Sequence, residues 1–177
     1  MNKAQLINQD SGQCEWYTPP EIIEAARKVL GRIDLDPFSS EQANKTVKAV
    51  EFYSSDAFER QWWGNVWMNH PFSRKMNPLC IKKLCDAFEV GEIEEACCIT
   101  FAATSEKWFQ PLHNYPQCYL VPRTNYYLPD GTKKKGVTKG SVVTYLGSRS
   151  RDLVFAKYFQ DLGEVKFPFC STVQTTL

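Results

Sequence analysis

Apolar positions along this 177-residue chain recur at helical spacing in some stretches and at strand spacing in others. Ile22, Ala26, Val29 and Leu30 form a stripe behind Thr18-Pro19-Pro20-Glu21, which predicts a helix to about Leu30. Thr18 is placed to cap it, Pro19 suits the first helical position, Glu21 completes a capping box, and Gly31 stops it. Short apolar runs at Ile33–Leu35, Val50–Tyr53 and Asn65–Met68 read as strands. They end at Asp36-Pro37, near Asp56 and at Asn69, and Ser39 or Ser40 caps a brief helix through Val47. Asn77-Pro78 opens a helix with Ile81, Leu84, Cys85 and Phe88 on one face, closed by Gly91. Ala96–Phe101 is a strongly apolar strand, and Ser105 caps a predicted helix carrying Trp108, Phe109 and Leu112. Gln117–Val121 is a further strand, and Asn125–Leu128 and Ser141–Leu146 are predicted strands flanking a basic loop, Pro129–Gly140. Leu153–Phe159 reads as helical and Glu164–Phe167 as extended.

Strands alternating with helices predict an α/β fold, a mostly parallel sheet with helices on both faces. The length suits one domain, taken as residues 15–177 behind a loose polar arm at 1–14. In such sheets ligands bind beyond the carboxyl ends of the strands. Asp36, Asp56 and Asn69 each fall just past a predicted strand, so the three can line one crevice. An acid in such a place is more often an ordinary turn or cap residue, and the coincidence of all three favours a site.

Composition narrows the class. Hydrophobic residues make up 43% and charged residues 23%, which describes a globular chain rather than a disordered one. No apolar run approaches the ~20 residues that span a bilayer, and the polar N-terminus lacks a signal core, so neither a membrane nor secretion is expected. The seven cysteines are odd in number and include no Cys-x-x-Cys pair. They read as small buried hydrophobes, and no metal site is expected. Net charge is only +1, but the cations cluster. Lys133, Lys134, Lys135 and Lys139 crowd one loop, with Arg149 and Arg151 beyond it; Arg74, Lys75, Lys82 and Lys83 form a second group. Either cluster alone is more often a solvated face.

The chemistry concentrates in Asn65-Val66-Trp67-Met68-Asn69-His70-Pro71-Phe72-Ser73, a short strand ending in Asn-x-Pro-aromatic. An exocyclic amine on a nucleobase is a poor nucleophile because its lone pair is delocalised into the ring. Accepting hydrogen bonds from both amino hydrogens localises that pair. The Asn69 side-chain carbonyl can accept one, and the backbone carbonyl of residue 70 the other. Pro71 stiffens the turn, and Phe72 offers a face for stacking, worth about 1–3 kcal/mol by analogy with other base–aromatic contacts. An ordinary turn with a buried aromatic would carry the same four letters.

In these residues the chain resembles the phage-encoded DNA adenine-N6 methyltransferases, the Dam-like group. The resemblance runs from about residue 15 to 147. It rests on Glu15-Trp16-Tyr17-Thr18-Pro19-Pro20-Glu21, on Ile33-Asp34-Leu35-Asp36-Pro37-Phe38-Ser39-Ser40 with Ala43-Asn44, on Trp63-Gly64 ahead of the Asn69 turn, and on Leu128-Pro129-Asp130-Gly131 leading to Gly140-Ser141. It implies a Rossmann-like fold, S-adenosylmethionine as methyl donor, double-stranded DNA as partner and a bacterial host cytoplasm as setting. Trp16, Tyr17, Thr18, Pro19, Asp36, Pro37 and Asp56 would hold the donor, and Asn69, His70, Pro71 and Phe72 would form the catalytic turn. Target recognition would fall within residues 123–151. A base inside a duplex must be flipped out to be reached, and Arg74, Lys75, Lys133, Lys134, Lys135 and Lys139 would meet phosphates.

Two residues depart from that pattern. His70 replaces the first proline of the turn, and Phe38 stands where the family more often has a small residue. His70 is open to three readings: a tolerated change, a contact to the target strand, or the mark of a silent relative. Methylation of another planar amine, such as cytosine N4 or a glutamine side chain, stays open as well.

Overall fold

The computed structural model describes residues 16–128, 130–134 and 137–169. The expected arm at 1–14 and Lys135 lie outside them. The elements run α1 (Pro20–Leu30), β1 (Leu35–Asp36), α2 (Glu41–Val47), β2 (Glu51–Phe52), β3 (Asn65–Met68), α3 (Met76–Glu89) and β4 (Glu95–Phe101). A 3₁₀ helix (Lys107–Asn114), β5 (Gln117–Leu120), β6 (Ser141–Leu146), a 3₁₀ turn (Arg149–Arg151), α4 (Asp152–Phe159) and β7 (Gly163–Lys166) follow.

The strands form one seven-stranded sheet in the order β2-β1-β3-β4-β6-β5-β7. β2, β1, β3 and β4 run parallel, while β4–β6, β6–β5 and β5–β7 pair antiparallel. The sheet is therefore mixed rather than mostly parallel. Parallel neighbours need a crossover, usually helical, and no helix is described between Leu120 and Ser141, so the chain returns antiparallel.

Strand side chains alternate between two cores. Trp67, Cys97, Ile99, Val143 and Tyr145 pack with α1 and α4. Val66, Met68, Ala96, Cys98, Val142 and Leu146 pack with α3 and the 3₁₀ helix. Cys80, Cys85, Cys97, Cys98 and Cys118 are free thiols, and all five are buried, in keeping with their reading as small hydrophobes. Among the described residues no helix is long and apolar enough to cross a membrane, and no cluster of potential metal ligands occurs.

Asp34 pins β3 to the start of the sheet. Its Oδ2 accepts from the Asn65 amide at 2.9 Å, and its own amide donates to the Asn65 carbonyl at 2.8 Å. Arg32 Nε lies 2.5 Å from its other oxygen. Gly64 passes over this carboxylate with φ 62°, a conformation that favours glycine.

Three local expectations are corrected. Thr18 does not cap α1: Pro19 occupies the N-cap with no side-chain cap bond, and Pro20 takes the first turn. Two adjacent prolines leave fewer amides there to be capped. The helix expected after Ser105 is 3₁₀, begins behind Glu106 and contains Pro111, which has no amide to sustain α-helical bonding. Asn125–Leu128 forms no ladder; Tyr127 makes single bridges to Tyr17 and Lys133.

Candidate active site at the strand ends

The parallel strands β1, β2 and β3 end around one cavity of about 450 Å³. It lies where the order leaves β1 in opposite directions, towards β2 and towards β3, the usual ligand position in open α/β sheets. Trp16, Tyr17, Thr18, Asp36, Pro37, Asp56, Asn69, His70 and Pro71 all line it. Pro19 does not line it; it serves as the N-cap of α1.

Asp36 ends β1 and is 2% exposed. Burial pushes its carboxyl up to about 7, and the Phe38 amide, donating to Oδ1 at 3.3 Å, offsets part of the rise. The Ser39 hydroxyl lies close and acts in the same direction without completing a hydrogen bond. A carboxylate held so poorly solvated is suited to a cationic or N–H-bearing ligand. Ser40 caps α2 by accepting from the Ala43 amide at 3.2 Å, and its hydroxyl meets the Tyr17 phenol at 3.0 Å. Asp56 adopts φ 58°, which aspartate tolerates, and accepts from the Ser55 hydroxyl at 2.7 Å.

Four residues of the wall carry a buried polar atom that lacks any partner among the described residues: the Thr18 and Ser39 hydroxyls, the Trp67 indole N–H and His70 Nδ1. Buried groups of this kind are nearly always bonded, so the Thr18 hydroxyl and the Trp67 N–H are available to a ligand.

Asn69 leaves β3 with its amide orientation fixed. Nδ2 donates to the Trp16 carbonyl at 2.5 Å. The amide nitrogen is thus engaged, and Oδ1 is the acceptor left for a ligand. Trp16 in turn belongs to a segment tied to the basic loop: the Tyr17 and Tyr127 amides donate to each other's carbonyls, both at 2.9 Å.

His70 is buried, and burial pushes its imidazole down to about 4. It is neutral at physiological pH and covered, so the reading as a target-strand contact is not supported. Phe72 is also placed differently from its expected stacking role. It is outside the cavity wall, buried, with its ring 4.5 Å from Phe101 and 5.8 Å from Tyr126. The aromatics on the wall include Phe38 and Phe58, 5.6 Å apart and edge to face. Phe58 follows Asp56 by two positions and is 40% exposed; an isolated exposed aromatic carries little signal in sequence.

The basic residues divide. Lys82 pairs with Asp86 at 2.5 Å and Lys83 with Glu92 at 3.5 Å. Arg151 pairs with Glu95 at 2.8 Å and donates to the Val29 carbonyl, a structural tie from the 3₁₀ turn before α4 to both β4 and α1. Arg74, Lys75 and Lys134 are exposed with no ion-pair partner among the described residues. Lys133 lies over Tyr127 at 5.7 Å, and Lys139 over Phe101 at 5.1 Å. Phe101 packs on Phe72, so Lys139 is linked to the Asn69 turn through Phe101. Within residues 123–151, β6 is buried along its whole length, which leaves the flanking segments as the accessible part.

Fold and site together describe an α/β protein with an enzyme-like cavity at the switch point of its sheet. The family model for DNA N-6-adenine-methyltransferase (Dam) matches residues 6–147, about four-fifths of the chain, and the chain belongs to that family. Comparison with curated proteins and with solved structures gave no match. Family membership supports methylation of adenine N6 in DNA as the general activity.

Proposed function

We propose that this chain methylates the N6 amine of an adenine swung out of duplex DNA, using S-adenosylmethionine on a Rossmann-like scaffold. The observation that carries the reading is the tether from Asn69 Nδ2 to the Trp16 carbonyl, which leaves Oδ1 as the free acceptor beside the cavity. When bound, S-adenosylmethionine supplies a methyl group activated by positive sulfur. The residues present fit it. Asp36 offers a desolvated carboxylate to a cationic molecule, Thr18 and Trp67 offer unpartnered polar groups, and Phe38 and Phe58 offer apolar faces.

Asn69 Oδ1 accepts one amino hydrogen of the adenine, and the backbone carbonyl of His70 accepts the second. Both draw the nitrogen's lone pair out of conjugation. Pro71 stiffens the turn that presents them. Holding the amine in line with its methyl source then supplies much of the rate, since positioning alone removes a large part of such a barrier. Arg74, Lys75, Lys133, Lys134 and Lys139 contact phosphates on either side of the flipped base and give affinity without sequence choice.

The test is transfer of labelled methyl from S-adenosylmethionine to unmethylated duplex DNA, followed by hydrolysis. N6-methyladenine is the expected product. Label on cytosine or protein, or no label from a folded protein that binds the donor, would overturn the assignment. Asn69→Ala is expected to lower kcat by roughly 100-fold or more, as for removal of one preorganised polar group, while the fold is retained with a melting point lowered only by the loss of the bond to the Trp16 carbonyl. Unchanged turnover in that variant would sink the role given to Asn69.

A further inference from the structure

The two residues that depart from the family pattern touch each other. Phe38 and His70 meet edge to face, with centroids 6.4 Å apart and planes at 65°. His70 is held on two further sides. Its Nε2 lies 3.0 Å from Asn77 Oδ1, and because that oxygen only accepts, Nε2 carries the proton. Its ring meets Phe72 at 5.5 Å and 87°. One buried imidazole thus joins the loop after β1, the turn after β3 and the first turn of α3.

A proline at position 70 would restrict Asn69 before it and fix its own φ. Histidine gives up both restraints, and only Pro71 still biases the backbone of residue 70. Apart from the tether of Asn69 to Trp16, the bonds remaining in the turn are short-range: Ser73 N–H to the Pro71 carbonyl at 2.9 Å, Met76 N–H to Ser73 Oγ at 3.1 Å and Asn77 N–H to the Ser73 carbonyl at 3.0 Å. The Asn77–His70 bond is different in kind because it closes the whole turn from strand end to helix start.

We propose that Asn77, with Phe38 and Phe72 packed around the ring, clamps His70 and so replaces the missing proline. His70 and Asn77 are then positioning residues that hold the residue-70 carbonyl and Asn69 for methyl transfer, an inference that rests on the function proposed above. A histidine that merely fills space predicts something else. Loss of its hydrogen bond would then weaken the fold to the same degree whatever happens to the turn.

The experiment compares Asn77→Ala and Asn77→Asp in the natural chain, and Asn77→Ala in a His70→Pro background. It reads kcat for DNA methyl transfer, donor Kd, and the exchange rate of the Ser73 amide by nuclear magnetic resonance. Asn77→Ala is expected to lower kcat on the order of tenfold, with donor Kd unchanged and Ser73 exchange faster. Asn77→Asp keeps an acceptor for Nε2 and should restore both kcat and Ser73 protection. In the His70→Pro background, Asn77→Ala should add no further loss. Equal losses in both backgrounds, equal losses from Ala and Asp, or no change in Ser73 exchange would each overturn the clamp. Absence of methyl transfer in the wild type would defeat the functional assignment alone, because Ser73 exchange still decides the clamp.

Discussion

Asp36 binds its proton more tightly in the folded chain than in the unfolded one. Burial moves it from 3.8 to about 7. A carboxyl raised in this way contributes stability below its unfolded pKa, and that contribution is lost as pH rises through about 7. The donor-free protein therefore carries a strained carboxylate at pH above that point. Asp36→Asn keeps the shape and removes the charge. It is expected to melt higher than wild type in alkaline buffer, with the difference shrinking as the pH is lowered towards 4, and to bind S-adenosylmethionine more weakly throughout the alkaline range. Melting curves across pH and donor titration check the two signs, and a variant less stable than wild type in alkaline buffer would show that Asp36 is structural. Asp36 and Asn69 are visible in the sequence because residue type and a strand end coincide there. Asn77 and Phe58 are not, because only their neighbours in space give them a role.

At the scale of elements, similar cap signatures had different outcomes. Ser40 precedes α2 with extended backbone, φ −145°, and does cap it. Thr18 precedes two prolines, and its hydroxyl is left unpartnered at the cavity instead. The entry to β3 depends on a backbone exception that no apolar pattern reveals. A Cβ at Gly64 would fall 2.6 Å from Asp34 Oδ2, on the carboxylate that holds the Asn65 amide. Gly64→Ala thus adds left-handed strain of about 1–2 kcal/mol to the disruption of a buried hydrogen bond, itself about 1–3 kcal/mol. With a melting shift of about 2–4 °C per kcal/mol at this size, a fall of roughly 4 °C or more is expected in calorimetry. A smaller shift would mean that Asp34 is dispensable for the start of β3.

At the scale of the molecule, charge distribution matters more than charge total. A net charge of +1 gives no general attraction to DNA, so binding must come from the local cations. Duplex affinity is expected to fall steeply with salt. Replacing Lys133, Lys134 and Lys139 together by alanine should make the slope of log K against log salt shallower, by about 0.9 for each phosphate that these lysines neutralise. Fluorescence anisotropy over a salt series measures this, and an unchanged slope would remove the basic loop from the interface. Tyr127, just before the loop, exchanges backbone bonds with Tyr17, and the neighbouring Trp16 orients Asn69, so the segment leading into the basic loop is tied to the cavity wall.

Periodicity placed α1, α2, β3, α3, β4, β6 and α4 with small end shifts, because burial of one face imposes a pattern that can be read locally. The series of motifs from Glu15 to Ser141 pointed to the family, and the residue types at the ends of β1 and β3 fall on the cavity wall. Other properties required the assembled sheet. Strand direction after β4 depends on the path of the connections, and that path made the sheet mixed. Phe72 looked like a stacking face by its place in the motif, but Phe101 and Tyr126 enclose it. The imidazole of His70 had three readings in one dimension; burial and the Asn77 bond made it a neutral group inside the turn. Local sequence determines what a segment prefers, whereas the environment of a side chain is set by residues far away in the chain, which come together only when the chain folds.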